Sequence, residues 1–485
     1  MALDPAFVDA VRRALPADAV LSEPEDLRTY ECDGLTGRRV LPALVCLPET
    51  TEQVQAVVRA CAARHVPFVA RGAGTGLSGG ALPVADGVVL SLARMNRVLS
   101  VDLDARRIVV QPGVTNLQVT EAVAADELYY APDPSSQQVC TVGGNVAENS
   151  GGAHCLKHGF TANHVTGLVV VLPDGSLCRL GGVAADSPGP DLLGVFVGSE
   201  GTLGVAVEIT LRLLRRPEAV VTQLASFDSM DEAGGAVSGI VAAGILPAAI
   251  EMMDRLTIEA TEQAVHAGYP QGAGAILIVE LDGVAAQVEE DVAAVERICR
   301  EHGAREIRTA ADAAERALLW KGRKSAFAAM GRVSHSYYVQ DGVVPRTRLP
   351  EVLRRIAELE REHGLRVGNV FHAGDGNLHP LVLYDERVPG EPARARELAE
   401  AILVACVDAG GSLTGEHGVG TDKACAMPLM FGEDDLAVMQ RLRRAFDPDG
   451  IANPGKVFPT PRLCGEVPGP YRRHPLEEAG LAERL

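Results

Sequence analysis

The stretch Val66-Pro67-Phe68-Val69-Ala70-Arg71-Gly72-Ala73-Gly74-Thr75-Gly76-Leu77-Ser78-Gly79-Gly80 decides the fold of this chain. Its first five residues read as a buried strand, and the strand runs directly into a loop dominated by glycine. Glycines in series let backbone N–H groups converge on a phosphate without Cβ obstruction. The spacing is not the GxGxxG of a Rossmann turn, and no Gly-Lys-Ser/Thr follows, so it is not a P-loop either. Taken alone it reads equally well as a tight turn. Two further loops of the same kind follow it, however. Thr141-Val142-Gly143-Gly144-Asn145 leads to Ser150-Gly151-Gly152, and Ser199-Glu200-Gly201-Thr202-Leu203-Gly204 comes next. Three such loops in one domain point to a large, phosphate-bearing ligand.

Around these loops the pattern alternates strand and helix. Leu44–Leu47 reads as a strand, and Thr51 as the cap of a helix with Val54, Val57, Val58 and Cys61 on one face. Val88–Leu92 and Ile108–Gln111 read as strands, and Thr115–Leu128 as a helix. Asp174-Gly175 marks a hairpin turn between Leu168–Leu172 and Leu177–Leu180. A boundary is expected near Arg216-Pro217. Beyond it, Asp291–His302 and Leu349–His363 read as helices, and Ile276–Leu281, Tyr337–Gln340 and Leu378–Leu383 as strands. Residues 1–40 read as a helical lead-in, 41–217 as the ligand domain, 218–458 as a second domain, and 459–485 as a loosely packed tail.

The 485 residues exceed one ordinary hydrophobic core, and 47% hydrophobic with 22% charged residues describes a soluble globular composition. A net charge of −19 argues against nucleic acid. The ten cysteines show no CxxC spacing, so neither an iron–sulfur cluster nor a zinc knuckle is encoded. They read as reduced thiols of a cytoplasmic protein. The uncharged stretch from Ala233 to Ile250 approaches membrane-spanning length, but its glycines and proline make it a buried helix running into a strand.

The second half carries a different chemistry. In Val370-Phe371-His372-Ala373-Gly374-Asp375-Gly376-Asn377-Leu378-His379 two histidines sit on the arms of a hairpin. Cross-strand neighbours share a face, so both imidazoles can converge. Gly415-Glu416-His417-Gly418-Val419-Gly420 follows. Two imidazoles and a carboxylate suit a divalent metal of the zinc, manganese or iron kind, and the remaining histidine is free to move a proton. Asp375 and Asn377 read as turn residues. Trp320-Lys321-Gly322-Arg323-Lys324 offers cations for a substrate carboxylate, or alternatively a solvated helix face.

The loop motif from Arg71 to Gly80, with Pro132-Asp133-Pro134-Ser135-Ser136 and Thr141–Asn145, resembles the FAD-binding domain of the vanillyl-alcohol oxidase / p-cresol methylhydroxylase superfamily. Val370–His379, Gly415–Gly420 and Asn453-Pro454-Gly455-Lys456 resemble its 2-hydroxyacid dehydrogenase branch. That branch holds glycolate oxidase flavoprotein subunits and the D-lactate and D-2-hydroxyglutarate dehydrogenases. The resemblance spans roughly residues 40 to 458. It implies an α+β fold, with a two-subdomain FAD-binding domain of the p-cresol methylhydroxylase type and an α+β cap domain.

The resemblance also implies an FAD site. Its expected residues are Arg71, Gly72, Gly74, Thr75, Gly76, Ser78 and Gly79 in the first loop, and Pro132, Asp133 and Ser135 in the next motif. Thr141, Gly143, Gly144, Asn145, Ser150, Gly151 and Gly152 continue the site, and Glu200, Gly201 and Asn453 complete it. Thr75 stands where some members attach the flavin to histidine, so non-covalent FAD is expected. The family places a metal on His372, His379 and Glu416, a base at His417, and the substrate carboxylate on Arg323, with Asn377 within reach of substrate. A lysine expected near Tyr338–Asp341 in the 2-hydroxyglutarate branch is missing, and Leu381 stands where that branch has a polar group. Both departures favour a small monocarboxylate, glycolate or D-lactate. The partners implied are that acid and, within a complex, an iron–sulfur subunit and a second flavoprotein subunit. Such a complex would make the chain cytoplasmic or peripheral to the inner membrane through a partner. The residues by themselves also allow a metal-dependent hydrolase or lyase without flavin.

Overall fold

Most strand-forming runs of the sequence are buried on at least one side and the sheets assemble from them, whereas the edge strand Val98–Asp102 is exposed throughout. A computed structural model describes residues 3–184, 189–460 and 464; most of the tail expected at 459–485 lies outside the described residues. The chain divides into two units. The first is formed by Met1–Gly151, Phe160–Arg215 and Glu416–Leu485, and the second by Gly152–Gly159 and Arg216–Gly415.

The first unit holds two main sheets. In one, the order is Val20–Leu21, Leu44–Cys46, Val88–Ser91, Phe68–Arg71, and the last three strands run parallel. Helices Pro5–Ala14 and Thr51–Arg64 bury Phe7, Val11, Val54, Val57, Val58 and Cys61 in its core. Thr50, not Thr51, caps the second helix, accepting from Gln53 N. The other sheet is antiparallel, ordered Val98–Asp102, Arg107–Val110, Val205–Arg212, Val165–Val171, Leu177–Gly181. Its faces enter two cores, with Val169, Val171, Val205 and Val207 on one side and Leu168, Val170, Ala206 and Ile209 on the other. Gly175, with φ +80°, makes the turn at Asp174-Gly175, so Val171 pairs with Leu177. The helix expected over Thr115–Leu128 is shorter. It runs Asn116–Glu121, passes through a 3₁₀ turn, and ends where Glu127 enters the left-handed region at φ +56°. That turn frees Leu128–Tyr129 to become a strand.

The second unit is built on one antiparallel sheet of eight strands. Its order is Glu306–Thr309, Ala219–Phe227, Ala275–Gly283, Ala249–Asp254, Val367–His372, Asn377–Tyr384, Ser336–Val339, with Gly342–Val343 also paired to Asn377–Tyr384. Period-two alternation sends Phe371 and Leu378 to one face, under helices Met230–Ala242, Ala285–Glu301, Leu349–His363 and Glu391–Asp408. Val370 and Leu381 face the other way, under helices Arg255–Val265 and Ala313–Met330. The Ala233–Ile250 stretch is the end of one helix and the start of the strand Ala249–Asp254. Among the described residues no helix is long and apolar enough to cross a membrane. The expectation that all cysteines are reduced thiols needs one correction: Cys425 and Cys464 form a disulfide. The two residues are 39 apart in sequence, so no short-spacing motif announces the pair.

Candidate active site

The glycine loops of the first unit come together. A Cβ at Gly72 would lie 2.2 Å from Thr141 Oγ1, so the first loop touches the second. Thr141 caps the helix Val142–Glu148, accepting from Gly144 N. Asn145 is buried, and its Oδ1 accepts from Asn116 Nδ2, which also donates to Pro132 O at 3.0 Å. Asn453 Nδ2 donates to Gly80 O (2.9 Å) and Glu200 O (2.6 Å), and Gly201 packs against the same amide. Ser150 O accepts from Thr161 Oγ1. Asp133 is half-buried and Ser135 exposed. Gly152 opens the short excursion of the chain into the second unit.

Two of the expected cofactor residues hold the loops themselves. Arg71 is 7% exposed, and its guanidinium donates to Cys32 O and Ala81 O and lies over the Tyr30 ring. Gly74 must be glycine, because at φ +71° a Cβ would lie 2.1 Å from Arg71 Nη2. The Glu200 carboxylate accepts from Val419 N at 2.6 Å and Gly420 N at 2.7 Å.

The cradle suits a dinucleotide. Gly76 has open space where a Cβ would stand, and Gly143 approaches Pro112 too closely for any side chain. Among the described residues no hydrogen-bond partner reaches the buried Ser78 Oγ, Ser199 Oγ, Thr421 Oγ1 or Asn453 Oδ1. Buried polar atoms of this kind ordinarily have partners, so they fit a polar ligand.

In the second unit the histidine hairpin forms, with an adjusted register. His372 pairs with Asn377 and His379 with Val370, so the two histidines are diagonal neighbours on one face rather than directly opposite. Their ring centroids are 5.0 Å apart at right angles, and both are buried (4% and 1% exposed). Phe327 meets His379 edge-on. Asn377 N donates to Asp375 Oδ1, closing the turn, and Gly376 takes φ +84°. Asn377 itself is buried, and its Oδ1 has no hydrogen-bond partner among the described residues.

Two carboxylates missed in the sequence organise this face. Glu251 stands directly across from His372 on the neighbouring strand. Its Oε1 is 2.7 Å from His372 Nδ1, and its Oε2 is 2.6 Å from Arg323 Nε. Engaging Nδ1 leaves Nε2 as the ligating nitrogen, as in carboxylate–histidine metal sites. Arg323 is 4% exposed on helix Ala313–Met330, and its Nη2 has no hydrogen-bond partner among the described residues. Asp341 lies 3.9 Å from His379 Nδ1 and accepts from Gly415 N and Thr414 Oγ1. A usable signal for Glu251 existed: a lone carboxylate inside the apolar run Ala248-Ala249-Ile250-Glu251-Met252-Met253. Glu416 and His417 belong to the first unit. There His417 Nε2 is 3.7 Å from Glu416 Oε1, and Gly151 packs against the Glu416 carboxylate.

Known proteins fall in with this arrangement. Residues 42–181 match the FAD binding domain, and residues 216–457 match the FAD linked oxidases, C-terminal domain. The chain belongs to the FAD-linked oxidase family. It is 51% identical to the glycolate oxidase subunit GlcD of Escherichia coli (strain K12), over 96% of this chain and 93% of the relative. To GlcD of Bacillus subtilis (strain 168) it is 38% identical, over 88% and 92%. To a D-lactate dehydrogenase of Anaerostipes hadrus it is 32% identical, over 86% and 89%. The crystal structure of p-cresol methylhydroxylase with substrate bound superposes with a TM-score of 0.80 at 20% identity, covering 93% of this chain and 96% of that one. The FAD-linked oxidase is therefore an oxidoreductase, and the flavin-free hydrolase reading is set aside.

Proposed function

We propose that this FAD-linked oxidase converts a small 2-hydroxy acid, glycolate or D-lactate, to the 2-oxo acid. One observation carries the reading: the buried His372–His379 pair with Arg323, tied together through Glu251. Relatives named for glycolate and D-lactate support it. Bound FAD would supply the two-electron acceptor. Thr75 lacks the imidazole through which some members bond the flavin, so acid precipitation is expected to release the flavin; flavin retained on the polypeptide would oppose this.

His372 Nε2 and His379 are the proposed imidazole ligands of a zinc, manganese or iron ion, with Glu416 as the third. Such an ion would orient the substrate and acidify its hydroxyl. The further residues act on substrate. Arg323 keeps Nε on Glu251 and presents its other nitrogens to the substrate carboxylate. Asn377, with Oδ1 unengaged, contacts the substrate. His417 accepts the hydroxyl proton. The first-unit cofactor residues, from Arg71 and Gly72 through Asn453, form the flavin cradle. The word "subunit" in the relatives' names favours a working form that includes further subunits; the family resemblance adds an iron–sulfur protein and a second flavoprotein as the proposed partners, through which the chain would associate peripherally with the inner membrane.

Anaerobic titration of the purified flavoprotein with a panel of 2-hydroxy acids tests the reading. Bleaching by glycolate or D-lactate is expected, whereas no bleaching by any small 2-hydroxy acid would overturn it. Elemental analysis of His379→Ala should show lost metal; full metal content with full turnover would remove the metal assignment alone.

A further inference from the structure

Two carboxylates of the first unit meet the turn that follows His417. Gly418 takes φ +83°, and a Cβ there would lie 2.2 Å from Glu148 Oε2 and 2.9 Å from Glu200 Oε1. Both carboxylates therefore crowd the space beside the Gly418 Cα, which puts these two oxygens within about 5 Å of each other. They are not equivalent. Glu200 accepts N–H bonds from Val419 and Gly420 on its two oxygens, which favours its ionised form. Glu148 Oε2 is shielded from solvent and has no hydrogen-bond partner among the described residues, and its Oε1 packs against Gly80. Two ionised carboxylates this close, out of water, repel strongly.

We propose that Glu148 is held as the neutral carboxylic acid at neutral pH, and that its proton, shared toward Glu200, fixes the Gly418–Gly420 turn and so orients His417. Glu148 is thus a positioning residue, and this role rests on the reading of His417 as the base. Burial, with the charges of Glu200 and Asp33, pushes the Glu148 carboxyl well up, against the pull of Lys423 and Lys456. Those four charged groups act on it most strongly. Burial pushes Glu200 up as well, but the N–H bonds of Val419 and Gly420 oppose this. The proton therefore belongs on Glu148. A carboxyl raised in the folded state favours folding at low pH, and that contribution fades as pH rises through its folded value. The turn should loosen in the same window.

The test uses the full-length flavoprotein and its Glu148→Gln and Glu148→Ala variants. At neutral pH the infrared difference between parent and Glu148→Gln should contain one carboxylic-acid C=O band; no such band overturns the proposal. Glu148→Ala should lower kcat by about 10- to 100-fold, as misplacement of a catalytic group does, with KM within about threefold. Glu148→Gln, which keeps a neutral hydrogen-bonding group, should rescue kcat and abolish its alkaline fall. A Gln variant as poor as Ala, or one keeping the parent's alkaline fall, overturns the proposal. Lys456, depressed to about 8 by burial and facing Glu148, titrates in the same range, so the two pH profiles are also compared in a Lys456→Met background. The infrared band does not depend on substrate. A band present together with full turnover in His417→Ala would therefore refute the base assignment and leave the shared proton standing.

Discussion

Replacing Glu251 with glutamine tests the face that organises the histidines. The Glu251–Arg323 pair is 2.6 Å apart, with side chains 1% and 4% exposed. At an effective dielectric of about 20 the attraction at this distance is about 6 kcal/mol. Desolvating both ions cancels most of it, so the intact pair adds little net stability. Removing one partner is different, because Arg323 is left charged and buried at a cost of about 3–5 kcal/mol. Glutamine keeps an acceptor for His372 Nδ1 but supplies no charge. The second unit has about 200 residues, and 2–4 °C per kcal/mol then predicts a fall in Tm of about 10 °C. Differential scanning calorimetry of Glu251→Gln, Arg323→Met and the double variant measures it. The double variant should recover much of the loss, since neither charge remains, giving a coupling energy of about 1–3 kcal/mol. A Glu251→Gln protein melting within about 2 °C of the parent, or a double variant no better than either single one, would refute the buried-pair argument.

Three further outcomes are expected. Lys456 is 2% exposed, and burial depresses its ammonium to about 8. Below that pH both folded and unfolded chains carry the charge; between about 8 and the ordinary lysine range only the unfolded chain does, so the contribution of Lys456 to stability should rise with pH by about 3 kcal/mol. Buried thiols such as Cys61 and Cys299, held up at about 12, act in the opposite sense in both proteins, so urea unfolding should show the rise as the difference between the parent and Lys456→Met. For the Asp282 carboxyl, burial works to raise the pKa, but hydrogen bonds from His158 and Lys157 outweigh it and hold the group at about 2. Its contribution is present above the ordinary Asp range and lost as pH falls toward 2, so Asp282→Asn should cost about 2 kcal/mol at neutral pH and nothing below about pH 2, by chemical denaturation. At Gly418 a methyl group meets Glu148 Oε2 at 2.2 Å in a left-handed backbone. Gly418→Ala should therefore cut turnover by about tenfold or more, with a native far-UV circular dichroism spectrum.

The sequence by itself determined the features that depend on neighbouring residues. The loop from Arg71 to Gly80 and the turn at Asp174-Gly175 were readable because a backbone with positive φ or a close approach demands glycine locally. The His372–His379 hairpin was readable for the same reason, since Gly376 turns it within four residues of each histidine. Even there the register was not, and the structure made the histidines diagonal. Tertiary structure alone decided the rest. Glu251 lies 121 residues before His372, and only strand pairing sets the two side chains together. Asp341 reaches His379 through a different strand edge. Glu200 meets the Gly418–Gly420 turn 219 residues later, and Glu148 gains its environment from the same packing. Local pattern encodes backbone shape, whereas the pairing of buried charges depends on which distant segments fold against each other.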